Sequence, residues 1–231
     1  MDWNKDMITK IEFDNISNKE AKEVIANKIA SKVKDRDVIG FGSGSTSYLT
    51  AIAIAKKVQE ENLKIIAIPT SYEMKLLCSY YQIPTVSLLE KKPDWSFDGA
   101  DEVSKEGWML KGRGGAMFKE KLNIANSKVT YILVDYTKMV DKLGEKFAIP
   151  VECYPEAFYY VKEELIMLGA TKIEIRKAEK KDGPVITENN HIILDVTFEQ
   201  IEETLEKDIK SITGVVESGL FIGYNIEIIK E

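Results

Sequence analysis

At 231 residues the chain is long enough for one large domain or two smaller ones around a proper buried core. A formal charge of −6, from 32 basic and 38 acidic residues, argues against a nucleic-acid or anionic-membrane surface. Apolar runs such as 51–55 are too short to span a bilayer, and residues 1–14 are charged, without a signal-peptide core.

In chain order, Ser17 or Asn18 can cap a first helix whose Ala21, Val24, Ile25, Ile29 and Val33 form an amphipathic stripe. Residues 37–41 read as a short buried strand, 42–46 as a Gly/Ser turn and 47–58 as the next helix. A second strand over 63–68 breaks at Pro69-Thr70-Ser71, a helix follows over 72–81, and 84–88 reads as a third extended piece. The apolar 95–97 runs into an acidic cluster; 117–125 is helical and 129–134 is an all-apolar strand. Helices alternating with wholly apolar, β-branched strands predict a Rossmann-like parallel sheet covered by helices on both faces.

After Pro150 the order changes. Strands over 151–153, 171–176, 191–196 and 215–217, with helices over 155–168 and 198–212, give βαββαβ, the ferredoxin-like α+β unit. Residues 220–229 are apolar enough to return to the first sheet. The expected domains are 1–148 with 221–231, and 149–220, the smaller one a candidate subunit contact.

The chemistry concentrates in the first of these. Gly40 to Thr46 joins a strand to a helix through glycines and hydroxyls, so backbone N–H groups and Ser45 and Thr46 form a candidate anion cradle. The third glycine of a dinucleotide fingerprint is Ser45 here, no acidic residue follows the second strand, and the Lys-Ser/Thr ending of a nucleotide P-loop is missing. A small phosphorylated metabolite fits better than a nucleotide. Asp98 and Asp101 stand at the C-terminal end of a strand, where open α/β sheets bind ligands, and the turn through Gly99-Ala100 lets both project into one pocket. Lys111 follows with Gly112, Arg113 and Gly114; its ammonium can hold or polarise an oxygen, while the carboxylates accept from sugar hydroxyls. Spacing alone leaves Glu120 an ordinary helical surface glutamate. With one histidine, His191, and only Cys78 and Cys153, metal and His-triad mechanisms lack their parts. The two cysteines, without C-x-x-C spacing, read as free thiols of a reducing cytoplasm.

Taken in order, Gly42-Ser43-Gly44-Ser45-Thr46, Pro69-Thr70-Ser71, Asp98-Gly99-Ala100-Asp101-Glu102, the Lys111 run, Lys119-Glu120-Lys121 and Asp135-Tyr136-Thr137-Lys138 resemble ribose-5-phosphate isomerase of type A. The likeness continues through Leu143-Gly144, Pro150-Val151-Glu152, Ile192-Ile193-Leu194-Asp195 and Gly214-Val215-Val216, nearly the whole chain from the first helix. The resemblance implies interconversion of ribose 5-phosphate and ribulose 5-phosphate in the non-oxidative pentose phosphate pathway, without metal or nucleotide cofactor, by a cytoplasmic homodimer or homotetramer. It implies Glu120 as general base beside Asp98, Asp101 and Lys111. It implies substrate contacts from Ser43, Gly44, Ser45, Thr46, Asp98, Gly99, Ala100, Asp101, Lys111, Gly112, Arg113, Gly114 and Lys138, with Lys22 a further candidate near the phosphate. Arg113 departs from the family's unbroken glycine series. Two rivals stay open at this stage: a non-catalytic sugar-phosphate sensor domain, and a coenzyme A transferase with a glutamate nucleophile.

Overall fold

The computed structural model describes residues 12–13 and 15–231; the charged segment 1–14 lies, apart from Glu12 and Phe13, outside them. The described residues form two compact units, one of those up to residue 99 with 122–137 and 225–231, and the other of residues 100–121 and 138–224. No described helix is long and apolar enough to cross a membrane.

The first unit is an α/β sheet. Its five strands are all parallel: β1 (Val38–Phe41), β2 (Ile66–Pro69), β3 (Trp95–Gly99), β6 (Thr130–Val134) and β12 (Ile226–Lys230), in the order β12-β6-β3-β1-β2. Helices α1 (Lys19–Ala30), α2 (Ser45–Glu60) and α3 (Tyr72–Tyr80) pack against it. Ile39, Phe41, Ala67 and Phe97 of the strands are sealed from solvent with Ile29 and Ile54 of the helices. Since β2 lies to one side of β1 and β3 to the other, the strand order reverses between β1 and β3. In open α/β sheets such a switch point, outside the carboxyl ends of the strands, is where ligands bind.

The second unit holds two antiparallel sheets. A small one joins β4 (Glu102–Val103), β5 (Met109–Leu110) and β11 (Leu220–Phe221) in the order β11-β5-β4. The larger runs β10-β7-β9-β8 from β7 (Ile149–Cys153), β8 (Ala170–Ile175), β9 (Ile192–Phe198) and β10 (Val215–Ser218). With α5 (Phe158–Met167) after β7 and α6 (Leu205–Ser211) after β9, this is the ferredoxin-like βαββαβ unit. Its core gathers Val151, Val161, Leu165, Leu194, Val196 and Ile209. Helix α4 (Met117–Asn126) contributes residues through Lys121 to this unit and from Leu122 to the first.

Several expected elements differ. Residues 84–88 form no strand: Thr85 makes a single bridge to Ala67, and Pro84 has no N–H for a ladder. The helix expected over 198–212 is confined to Leu205–Ser211, because Phe198 pairs with Ala170 as the last residue of β9. Residues 220–229 divide into β11 and β12 at Gly223, which adopts φ 79°. In α1, Asn18 is left-handed and makes no side-chain cap, and Val24 is exposed while Lys22 is buried.

Candidate active site

The first unit builds an anion-receptive corner at the switch point between β1 and β3. Helix α2 begins at Ser45 behind Gly44, whose φ of 86° is open to glycine, and its first turn holds no acidic side chain. The positive end of the helix dipole is therefore uncompensated by the helix itself. Thr46 is buried, and the Lys22 ammonium, also buried, donates to Ser45 Oγ at 3.1 Å and Ser17 Oγ at 3.4 Å. Ser43 Oγ lies 2.7 Å from Thr70 Oγ1, and Thr70 N–H and Oγ1 both donate to the Phe41 carbonyl at 3.0 and 3.2 Å. One lysine and a fixed set of hydroxyls thus surround a helix N-terminus, an arrangement suited to a phosphate group.

Asp98 closes the same corner. It is buried at the end of β3, and its Oδ1 accepts from Ser43 N–H at 3.2 Å and Gly99 N–H at 2.8 Å. Gly42 makes room for it: a Cβ there would come within 2.3 Å of Asp98 Oδ1 and 2.5 Å of the Phe97 carbonyl. Asp135, just beyond β6, completes the group. Burial alone would raise its pKa, but hydrogen bonds from the Thr137 side chain, the Asn18 side chain and Thr137 N–H, with the charge of Lys22, hold it below the ordinary carboxylate value.

The second unit carries the remaining candidates. Lys111 follows β5; its N–H donates to the Gly219 carbonyl at 2.9 Å, and its ammonium lies 3.3 Å from Glu120 Oε2 and 5.6 Å over the Phe221 ring. Both side chains are almost fully buried, at 3% and 7% exposure. Glu120 therefore does not have the solvated fate usual for a glutamate in the first turn of a helix. A buried ion pair costs desolvation of two charges, so it is weak evidence of a stabilising role and fits a group held for chemistry.

Between them runs the glycine segment. Gly112 adopts φ 98°, a torsion other residues rarely take, and a Cβ there would sit 3.1 Å from two carbons of Met117, so the methionine would have to shift. Arg113 has no left-handed torsion, which is why arginine is tolerated inside the run. Its N–H donates to Asp101 Oδ2 at 3.3 Å. Its guanidinium lies 4.4 Å over the Phe147 ring, and the Lys138 ammonium stands 5.8 Å from the same ring, so one aromatic ring gathers two cations. A Cβ at Gly114 would meet nothing within 4 Å. Ala100 is half-buried directly after β3.

Other charged residues of these motifs have different duties. Glu102, fully buried, accepts from the N–H groups of Gly144, Lys146 and Phe147 at 2.6, 2.6 and 2.9 Å, holding the loop that bears Phe147. Lys121 reaches Glu206 at 2.7 Å, Glu217 at 2.8 Å and the Leu220 carbonyl at 2.7 Å, tying α4 to its surroundings. His191 Nδ1 lies 3.0 Å from Glu152 Oε1 in the core of the larger antiparallel sheet. Among the described residues no three His, Cys, Asp or Glu side chains gather as a metal-binding group.

The sequence singled out Asp98 and Lys111 by their setting and Glu120 only through the family resemblance, but not the links of Ser43 to Thr70, of Glu102 to its loop, or the ring shared by Arg113 and Lys138. These pairs are distant in sequence, and only Thr70, beside a proline after a strand, left a local trace.

A sequence model of ribose 5-phosphate isomerase A (phosphoriboisomerase A) matches residues 66–230. A ribose-5-phosphate isomerase A of Methanocaldococcus jannaschii is 44% identical over 209 residues, 89% of this chain and 92% of that protein. One from a Synechococcus strain is 41% identical over 206 residues, 87% and 88% of the two chains. The solved structure of the M. jannaschii enzyme superimposes with a TM-score of 0.88 at 41% identity, covering 92% of this chain and 95% of its own. A D-ribose-5-phosphate isomerase solved with phospho-erythronic acid reaches the same score at 34% identity, covering 94% and 96%. The chain belongs to the ribose 5-phosphate isomerase A family.

Proposed function

We propose that the chain interconverts D-ribose 5-phosphate and D-ribulose 5-phosphate by proton transfer through a cis-enediolate, in the non-oxidative pentose phosphate pathway. The observation that carries this reading is the buried Lys111–Glu120 pair at 3.3 Å in a chain of this family. The phosphate is assigned to the N-terminus of α2, with Ser43, Gly44, Ser45 and Thr46 as donors and Lys22 as the neighbouring cation; Lys138 is assigned to substrate binding.

In the opened aldose, Glu120 takes the proton from C2. The C–H electron pair becomes the C1=C2 bond, and the carbonyl electrons move onto O1. Lys111 and neighbouring N–H groups meet that negative charge. The O2 proton passes to O1, with Asp98 and Asp101 holding the hydroxyls. Glu120 then returns its proton to C1 as O2 becomes the ketone oxygen. No electron acceptor is needed, because one carbon is oxidised as the other is reduced.

General-base catalysis contributes roughly 10²–10⁴-fold, so Glu120→Gln should lower kcat by at least about 100-fold while phospho-erythronic acid, the ligand named for a relative, still binds. Near-native turnover would remove Glu120 from the role. The same reading makes the enzyme cytoplasmic and a homodimer or homotetramer. Two unpaired buried thiols and the exposed Tyr159, Ile166 and Met167 of α5 support it, and sedimentation of the purified chain tests the assembly.

A further inference from the structure

Arg176 follows β8 directly and has no part in the mechanism so far. Its Nε donates to Asp195 Oδ2 at 3.0 Å and its Nη2 to Asp195 Oδ1, a two-pronged grip that fixes the guanidinium plane. Nη1 reaches in the other direction and donates to two successive carbonyls, Gly112 at 2.8 Å and Arg113 at 2.9 Å. Those are the two residues after Lys111. Arg176 is itself anchored through the backbone, its N–H to Ile193 and its carbonyl from Val185, both at 2.8 Å.

Two carbonyls captured by one nitrogen determine how the loop faces. In a trans peptide the C=O and the following N–H point in opposite directions. With the Gly112 carbonyl turned to Arg176, the Arg113 N–H must turn away, and it does so onto Asp101. With the Arg113 carbonyl turned the same way, the Gly114 N–H must likewise turn away from Arg176. A glycine-rich segment would otherwise sample many torsions, including the positive φ already used by Gly112 and Gly115.

We propose that Arg176 is a positioning residue for the isomerase reaction, locking the peptide planes of the Lys111–Gly114 run so that its ammonium and N–H groups meet the developing enediolate without reorganising. This rests on the proposed role of Lys111 and Glu120. A lysine ammonium is a single point charge and cannot bridge the Asp195 carboxylate on one side and the two carbonyls on the other as the guanidinium fork does.

The test is steady-state kinetics of Arg176→Ala and Arg176→Lys on the full chain, with Glu120→Gln alongside. Because a small displacement at a reacting centre costs about 100-fold, Arg176→Ala should lose roughly 10- to 100-fold in kcat. KM should change far less, and unfolding should stay cooperative. Guanidinium chloride, well below denaturing concentration, should restore part of the rate where sodium chloride of equal ionic strength does not. Unchanged kcat in folded Arg176→Ala, or a loss that guanidinium leaves untouched, overturns the proposal. Should Arg176→Ala fail to fold, Arg176→Lys decides: lowered kcat at near-parental KM supports it, and parental kcat overturns it. An active Glu120→Gln enzyme would instead strike the underlying mechanism, so the two failures are told apart.

Discussion

Replacing Glu102 by alanine tests whether this member of the acidic cluster builds the site rather than acting in it. The change removes the acceptor for three N–H groups, at Gly144, Lys146 and Phe147. Hydrogen bonds to a charged acceptor contribute about 1.5–3 kcal/mol each, which would suggest a very large loss. Gly144 and Lys146 are exposed, however, and Phe147 is half-buried, so water can reach the released donors. The low end of the cost of an orphaned donor, about 1 kcal/mol, is then appropriate, and three give about 3 kcal/mol. For a protein of this size each kcal/mol moves Tm by about 2–4 °C, so the midpoint should fall by roughly 6–12 °C. Loosening the loop also frees the Phe147 ring beneath Arg113 and Lys138. Losing about 1 kcal/mol of cation–π contact there should raise KM roughly fivefold, with kcat affected less. Thermal unfolding by circular dichroism and a coupled ketose assay read both effects. An alanine variant melting within about 2 °C of the parent would refute the loop-holding role.

Gly42→Ala must push apart the ends of β1 and β3, since its methyl would lie 2.5 Å from a backbone carbonyl that cannot swing aside. Overpacking of about 1–3 kcal/mol should lower Tm by several degrees and depress activity together; a fully active, equally stable variant would contradict the packing. Asp135 has a folded pKa below its ordinary 3.8, so its contribution to stability is complete above that value and drains away as the pH falls through the folded one. Denaturant titrations from neutral pH down to about 2 should show Asp135→Asn losing less stability on acidification than the parent, and parallel curves would refute this. Burial pushes the Cys78 thiol up to about 12, and burial with the charge of Glu152 pushes Cys153 up to about 11. Neither should react with a disulfide reagent at pH 8 until the protein is unfolded, and a thiol modified within minutes in the native state would disprove it.

The central strands were legible because a parallel strand buried on both faces must be apolar throughout, as Thr130–Val134 is apart from its first residue. Where pairing rather than pattern decides, the reading failed. Residues 84–88 have the composition of a strand but begin with a proline, and Phe198 carries the helical period onward yet is needed opposite Ala170. The candidate site divided in the same way. Glycines, aspartates and Lys111 cluster in sequence because one turn delivers them. Glu102 and Arg176 act on backbone groups more than 40 residues away, which no local window records. Glu120 was ordinary by spacing, and only its neighbours' likeness to a known family raised it.

The strand order has a consequence for how the protein is made. β12 lies at the edge of the parallel sheet beside β6, yet the whole stretch from Lys138 to Tyr224 is synthesised between them. A ribosome working through that stretch exposes an apolar, unpaired strand edge for as long as translation of the intervening residues takes. Nascent chains should therefore depend on chaperones until β12 emerges, and a premature stop anywhere in the second unit should yield aggregates rather than a smaller folded product.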